Sequence, residues 1–395
     1  MKKLQKYLQD LLASRSEHAR LLGGVVVAVV GFGLIGLAAI QFSSAETYSV
    51  QSEAENGTLA GNYTQVPDAA ASAGNYIKFG GGTTPPPPTA GGIKLGVAVE
   101  PDYLDDQKYA DTLVNYKFDS LTGENAMKFA PIEPNQGEFN WDGADKIVDF
   151  AMQHNMRVRG HTFGWYIEIP GWVNGLSNDA AASAMQNHIK TIMTRYKGKI
   201  TQWDVVNEAF EDDGSLRSLA WRDKLGDDYM EKMFKWAREA DPTAELCYND
   251  FGTESAGVMS DGNNLKPKSD AVYNMVKDFK ARGVPIDCVG LQTHSYGDYP
   301  GTETQIQENI KRLGEAGVKV EITELDATNA EPDRYAAIGR ACKNAGPGYC
   351  TGVTMWALDD GTGWRGGENA HLFDANLNVK PAYTALVDAI GHAKP

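Results

Sequence analysis

The chain has 395 residues, 42% of them apolar and 10% aromatic, with a formal net charge of −15. That length and apolar content allow one large packed domain with appendages and exclude a disordered chain. The acidity, with lysines and arginines scattered rather than striped, excludes a nucleic-acid backbone as partner.

Residues 1–20 carry Lys2, Lys3, Lys6, Arg15 and Arg20 against Asp10 and Glu17, and residues 21–42, LLGGVVVAVVGFGLIGLAAIQF, carry no charge. Such a run matches a hydrocarbon core of about 30 Å. The positive-inside rule then predicts a cytoplasmic basic segment over 1–20, a transmembrane or signal-anchor helix over 21–42, and an extracytoplasmic remainder. The apolar run exceeds the roughly 7–15 residues of a signal-peptide core, so an uncleaved anchor is expected, with secretion by cleavage after Ala45 as the rival. Residues 43–82 alternate polar and small residues in the manner of short exposed strands. Their stretch EAENGTLAGN (53–62) resembles the start of β-sandwich carbohydrate-binding modules, but the segment is too short for a whole module and reads as a stalk. Residues 83–92, TTPPPPTAGG, form a Pro-rich linker.

From 93 to 395 a rhythm of strands and helices emerges. Short apolar segments at 93–99, 119–124, 156–162, 202–207, 245–250, 287–293, 318–323 and 352–357 alternate with stretches of helical periodicity, among them 144–155, 180–196, 227–240, 269–283, 304–317 and 333–346. Eight such strands over about 300 residues predict a closed (β/α)8 TIM barrel, of α/β class. An open dinucleotide-binding sheet is disfavoured, since IKLGVAVEPD (93–102) lacks the glycine-rich turn, and no cofactor is expected. Cys247, Cys288, Cys342 and Cys350 all lie beyond the anchor, where disulfides persist, and their even count permits two bridges. Cys342 and Cys350 flank a short loop; Cys247 and Cys288 sit in segments that could be neighbouring strands. No spacing suggests a metal.

Polar and aromatic groups gather at the C-terminal strand ends, the face where barrel sites form. They are Glu124 with Asn125, His161, Asn207 with Glu208, Asn249 with Asp250, Gln292 with His294, Glu324 with Asp326, and Trp356. Glu208 after the fourth strand and Glu324 after the seventh can reach across the barrel axis toward one sugar, and two carboxylates flanking a glycosidic bond are the minimal equipment for its hydrolysis. Trp203 and Trp221 read as core.

WDVVNEAF (203–210) and ITELDA (322–327), with ENAMKF, GHTFGW, LQTH and MWALDDGTGW, all in order over residues 93–390, closely resemble glycoside hydrolase family 10. The resemblance implies a retaining endo-1,4-β-xylanase acting on xylan without metal or cofactor, with Glu208 as acid/base and Glu324 as nucleophile. His294 and Asp326 would support the nucleophile, Asp326 orienting His294. Substrate binding would fall to Glu124, Asn125, Lys128, His161, Trp165, Asn207 and Gln292, with Trp356 and Trp364 as aromatic walls. The resemblance also pairs Cys342 with Cys350 and Cys247 with Cys288. It departs from the usual pattern at Tyr166 and Glu168, where the family commonly has histidine and glutamine beside the distal non-reducing subsites, and at Asn249-Asp250-Phe251-Gly252, read as loop variation. The expectation is thus a monomer tethered to the membrane by its N-terminal helix and degrading xylan. The alternatives are a relative preferring cellulosic or other β-glycosides and, in another class, an inactive carbohydrate-binding surface protein.

Overall fold

The computed structural model describes residues 63–67, 75–79, 92–259 and 262–395; the expected anchor over 21–42, most of the stalk and nearly all of the linker lie outside them. Contacts divide the chain into two units, Met1–Gly81 and Gly82–Pro395. In the first, Tyr63–Pro67 and Asn75–Phe79 pair as an antiparallel ribbon, with Tyr63 opposite Phe79 and Pro67 opposite Asn75. Among the described residues no helix is long and apolar enough to cross a membrane.

The second unit is a barrel of eight parallel strands. They are β1 (Lys94–Val99), β2 (Ser120–Gly123), β3 (Arg157–Gly164), β4 (Gln202–Asn207), β5 (Glu245–Asp250), β6 (Cys288–Leu291), β7 (Lys319–Ala327) and β8 (Cys350–Met355). Each pairs with the next, and β8 pairs back onto β1 with Gly352 opposite Lys94 and Met355 opposite Val97, so no edge remains open. The outer helices are α1 (Gln107–Asn115), α2 (Asp142–Gln153), α3 (Asn178–Arg195), α4 (Tyr229–Ala240), α5 (Lys266–Arg282), α6 (Glu303–Glu315), α7 (Pro332–Asn344) and α8 (Pro381–Ile390). Their starts follow local chemistry: Asp106 accepts from the Lys108 and Tyr109 amides, Thr302 forms a capping box with Gln305, and Pro332 and Pro381 open α7 and α8.

Two strands run past their expected ends. β3 continues to Gly164, and β7 continues to Ala327 because Asp326 and Ala327 pair with His294 and Ser295, a two-residue strand. Glu324 therefore stands inside the paired sheet rather than just beyond it, which fixes its backbone.

Register also explains the bridges. Cys247 and Cys288 are direct partners between β5 and β6, with Cα atoms 4.5 Å apart; Cys342 near the end of α7 joins Cys350 at the start of β8 with Cα atoms 5.2 Å apart. Trp203 is core, its ring 4.7 Å from that of Phe163 and lying against Gly160, where a Cβ would meet it at 2.0 Å. Trp221 is likewise buried, stacked on Phe129.

The barrel interior is not wholly apolar. Glu321 accepts from Arg157 at 2.9 and 3.1 Å, from Arg159 at 3.0 Å and from Thr351 at 3.0 Å. Arg159 also clasps Asp204, which in turn faces His161 Nδ1 at 3.0 Å. Since β3 places Arg157, Arg159 and His161 on one face, a column of alternating charge climbs the barrel axis to its C-terminal mouth.

Candidate active site

Glu208 directly follows β4 in a left-handed conformation, φ 55°. A non-glycine residue rarely adopts this region, at a cost of about 1–3 kcal/mol, and persists there only when its surroundings dictate it. Here they do: the Glu208 amide donates to the Asn249 carbonyl at 2.9 Å, its carbonyl accepts from Arg217 Nε at 3.1 Å, and the next amide, Ala209, donates to the Tyr248 hydroxyl at 3.0 Å. The side chain is held as well. Oε1 accepts from Gln292 Nε2 at 2.8 Å and from Asn207 Nδ2 at 3.2 Å.

Glu324 is tied to Glu208 through one asparagine. Asn249 Nδ2 donates to Glu324 Oε1 at 2.8 Å and to Asn207 Oδ1 at 2.9 Å, while its own Oδ1 accepts from Thr323 at 2.6 Å. Parallel register makes this possible, because Asn207 and Asn249 are direct partners between β4 and β5. Gly290 on β6 leaves the room: a Cβ there would sit 2.1 Å from Asn249 Oδ1. The other oxygen of Glu324 faces His294 Nε2 at 3.2 Å, and His294 Nδ1 lies 2.9 Å from Asp326.

The electrostatics of the two carboxylates differ. Burial pulls the His294 imidazole down, but Asp326 and Glu324 outweigh it and push its pKa up to about 10, so at neutral pH the ring is a cation donating from both nitrogens. Asp326, buried yet held below the usual carboxylate range by His294 and Arg365, is anionic and also accepts from Trp364 Nε1 at 3.1 Å. Glu208 instead meets amides and backbone.

Around this pair lie the remaining sequence-designated groups, all at the same mouth. Lys128 Nζ donates to Asn125 at 2.7 Å and lies 4.8 Å from the Trp165 ring centre; Asn125 donates to Glu100. Glu124 is pushed up to about 7 by burial and by the charge of Glu100, against the pull of Lys128. The Trp356 ring stands 5.3 Å from His161 and the Trp364 ring 5.2 Å from His294, both edge to face. Trp364 is 62% exposed, leaving its apolar face free for a sugar ring.

Tyr166 stacks on Arg217, the guanidinium 4.3 Å from its ring, and burial with the charge of Glu208 pushes its hydroxyl up. Its ring thus stands beside the side chain that holds the Glu208 carbonyl. Glu168 takes a left-handed conformation, and its carbonyl accepts from the Ala130 amide at 2.9 Å.

Sequence reasoning placed Asn249 at a strand end without giving it a part, and it passed over Asp204, Glu100, Arg217 and Arg365. The last two sit in loops, where no periodicity points to them.

The family model for Glycosyl hydrolase family 10 matches residues 88–389. The chain belongs to that family. Endo-1,4-beta-xylanase A of Thermoanaerobacterium saccharolyticum is 37% identical over 318 residues, 74% of this chain but 26% of that one, so the chain spans about a quarter of that relative. Endo-1,4-beta-xylanase 3 of Hypocrea jecorina is 37% identical over 300 residues, 75% of this chain and 82% of the relative. Xylanase 10B of Thermotoga petrophila, solved with xylobiose, superposes with a TM-score of 0.69 at 33% identity over 76% of this chain and 94% of that one. The (β/α)8 barrel of this family 10 member is therefore that of its solved relatives.

Proposed function

We propose that the barrel is a retaining endo-1,4-β-xylanase. The observation carrying this reading is that Glu208 and Glu324 meet in one hydrogen-bonded set through Asn207, Asn249 and Gln292, with unlike partners beyond it. Glu324 attacks the anomeric carbon, its carboxylate aligned by His294 and Asn249, while Glu208 gives its proton to the departing glycosidic oxygen. The glycosyl ester on Glu324 is then opened by water whose proton returns to Glu208, restoring both carboxyl groups. Asn207 binds the sugar hydroxyl next to the anomeric carbon, and Glu124, Asn125, Lys128, His161 and Trp165 line the non-reducing side. Trp356 and Trp364 cover the pyranose faces. Incubation of the barrel with xylo-oligosaccharides tests this: internal cleavage with the β-anomer formed first is expected, and an α-anomer or no cleavage would refute it.

Glu124 supplies a pH signature. Below about pH 7 it can donate a hydrogen bond and above it only accepts. The KM for xylotriose is expected to change several-fold across this range, and Glu124→Gln to flatten that change while kcat keeps its profile. An unaltered KM profile in the variant would remove Glu124 from the binding surface.

We also infer an extracytoplasmic location, the apolar run 21–42 tethering the chain. Two disulfides among the described residues support it, since such bridges persist outside the cytosol. Recovery of full-length chain in the soluble cytosolic fraction would contradict it.

A further inference from the structure

Thr293 stands between two residues of the site, Gln292 and His294, and its backbone is left-handed, with φ 65°. For a β-branched residue this is a genuine outlier, which persists only where its surroundings impose it. The register shows where the turn belongs. Leu291 of β6 lies opposite Ile322 of β7 and His294 lies opposite Asp326, so three steps along one chain, 291 to 294, match four along the other, 322 to 326. Thr293 sits inside that mismatch. Around it the Gln292 carbonyl accepts from the Glu324 amide at 3.0 Å, His294 Nε2 faces the Glu324 carboxylate at 3.2 Å, and Gln292 Nε2 donates to Glu208 at 2.8 Å.

Thr293 belongs to neither flanking strand and is fully buried, so its amide needs an acceptor from elsewhere. Glu254 supplies it. The Glu254 side chain arrives from the loop after β5, is itself fully buried, and accepts from the Thr293 amide through Oε1 at 2.8 Å. Its other oxygen has no hydrogen-bond partner among the described residues. The loop that presents it is clamped from outside the barrel: Asn309 of α6 donates to the Thr253 carbonyl at 2.7 Å and to the Glu254 carbonyl at 3.1 Å, and Arg312 Nε donates to Asn309 Oδ1 at 2.7 Å. An unbroken set of contacts thus runs from α6 to the segment 292–294.

We propose that Glu254 is a positioning residue for the hydrolysis: by accepting from the Thr293 amide it imposes the left-handed turn that seats Gln292 on Glu208 and His294 on Glu324. This rests on the reading of Glu208 and Glu324 as the reacting pair. One buried acid, which touches no substrate, thereby sets partners of both carboxyl groups. Burial pushes the Glu254 carboxyl up, against the pull of the Thr293 amide, but its part is the same either way, since Oε1 accepts whether or not Oε2 carries a proton. What the role requires is reach: an acceptor two methylenes out from the backbone.

Variants of the full chain assayed on xylotriose test this. Glu254→Met keeps the volume and removes the acceptor, and kcat is expected to fall about 10²-fold, the scale of an ångström of misplacement at the reacting groups. KM should stay within about twofold, because Glu124, Asn125 and Lys128 are untouched. Glu254→Gln still offers an oxygen to Thr293 and should lose less than about threefold, whereas Glu254→Asp keeps the charge, withdraws the oxygen by one methylene and should lose about tenfold. Adding Thr293→Gly to Glu254→Met should recover about tenfold in kcat, since glycine adopts a left-handed backbone unaided. A residue that served stability alone would show no such recovery, because glycine at 293 then only loosens the chain further. Thermal unfolding shows whether each variant folds; should Glu254→Met fail, Glu254→Asp with and without Thr293→Gly makes the same comparison. Full activity in Glu254→Met, a loss in Glu254→Gln as large as in Glu254→Met, a rise in KM in place of the fall in kcat, or no recovery with Thr293→Gly would each overturn the proposal. A parent chain inactive on xylo-oligosaccharides overturns the reading of the site and this inference together, whereas an active parent with any of those four results defeats this inference alone.

Discussion

Glu324→Gln is expected to abolish turnover of every substrate, by a factor on the order of 10⁶, while Glu208→Ala loses about 10²–10⁴-fold on xylan and far less on aryl glycosides. The asymmetry follows from what each group does. The amide introduced by Glu324→Gln would still accept from Asn249 and sit in the same socket, so the fold is retained, but no glycosyl ester can form whatever the leaving group. Removing the Glu208 carboxyl deprives only the departing oxygen of its proton, and a phenolate of low basicity leaves without one. For such substrates the slow step becomes opening of the glycosyl-enzyme, and an added anion such as azide, small enough for the space left by the carboxylate, should intercept it as a β-glycosyl product. Rates on xylan and on aryl xylobiosides of graded leaving-group acidity measure this. Equal losses for both variants on all substrates would reverse or void the roles.

The strands were readable because each is a short aliphatic run, bounded by turn residues, with a polar group at its end. β4, QWDVVN, is buried at every position, and its observed limits coincide with those read from the sequence. β7 was read short for a physical reason: Leu325, Asp326 and Ala327 are strand only because His294 and Ser295 pair beside them, and a pairing across some thirty residues leaves no local mark. The carboxylate pair was legible as two acids at strand ends, but the group joining them, Asn249, was not, since its role needs the register between β4 and β5. Alternation in RVRGH (157–161) puts Arg157, Arg159 and His161 on one face of β3, a pattern that names no partner by itself. In an open sheet that face would be read as solvated; only closure of the barrel turns it inward and demands the counter-charges Glu321 and Asp204 from strands elsewhere.

That column carries the largest expected effect on stability. Burial by itself would raise the Glu321 pKa, but Arg157 and Arg159 reverse this and hold it at about 2, against an ordinary value of 4.5. A depressed carboxylate contributes stability that is complete above the unfolded-state pKa and is lost as pH falls through the folded one, here between about pH 4.5 and 2. Glu321→Gln preserves volume yet leaves the partly buried Arg157 without its anion and the buried Arg159 with Asp204 alone, a defect of about 3 kcal/mol. At roughly 2–4 °C per kcal/mol for a large domain, Tm should fall on the order of 10 °C at neutral pH. The gap to the parent should then narrow as pH drops below about 4, because Glu321 takes up a proton in the unfolded parent while the folded one still holds it ionised; a gap that stays constant to about pH 3 would show that Glu321 does not act through its ionised form. The fourfold exchange Arg157→Met, Arg159→Met, Asp204→Leu and Glu321→Leu separates stability from catalysis, since Asp204 would otherwise stay buried without the Arg159 cation. Such a swap can restore Tm, since apolar side chains of similar volume need no counter-ions. It cannot restore activity, because it removes the Arg159–Asp204 pair that stands beneath His161. Recovered stability with lost turnover is therefore the expected result, and it would locate the purpose of this buried charge at the mouth of the barrel rather than in its core.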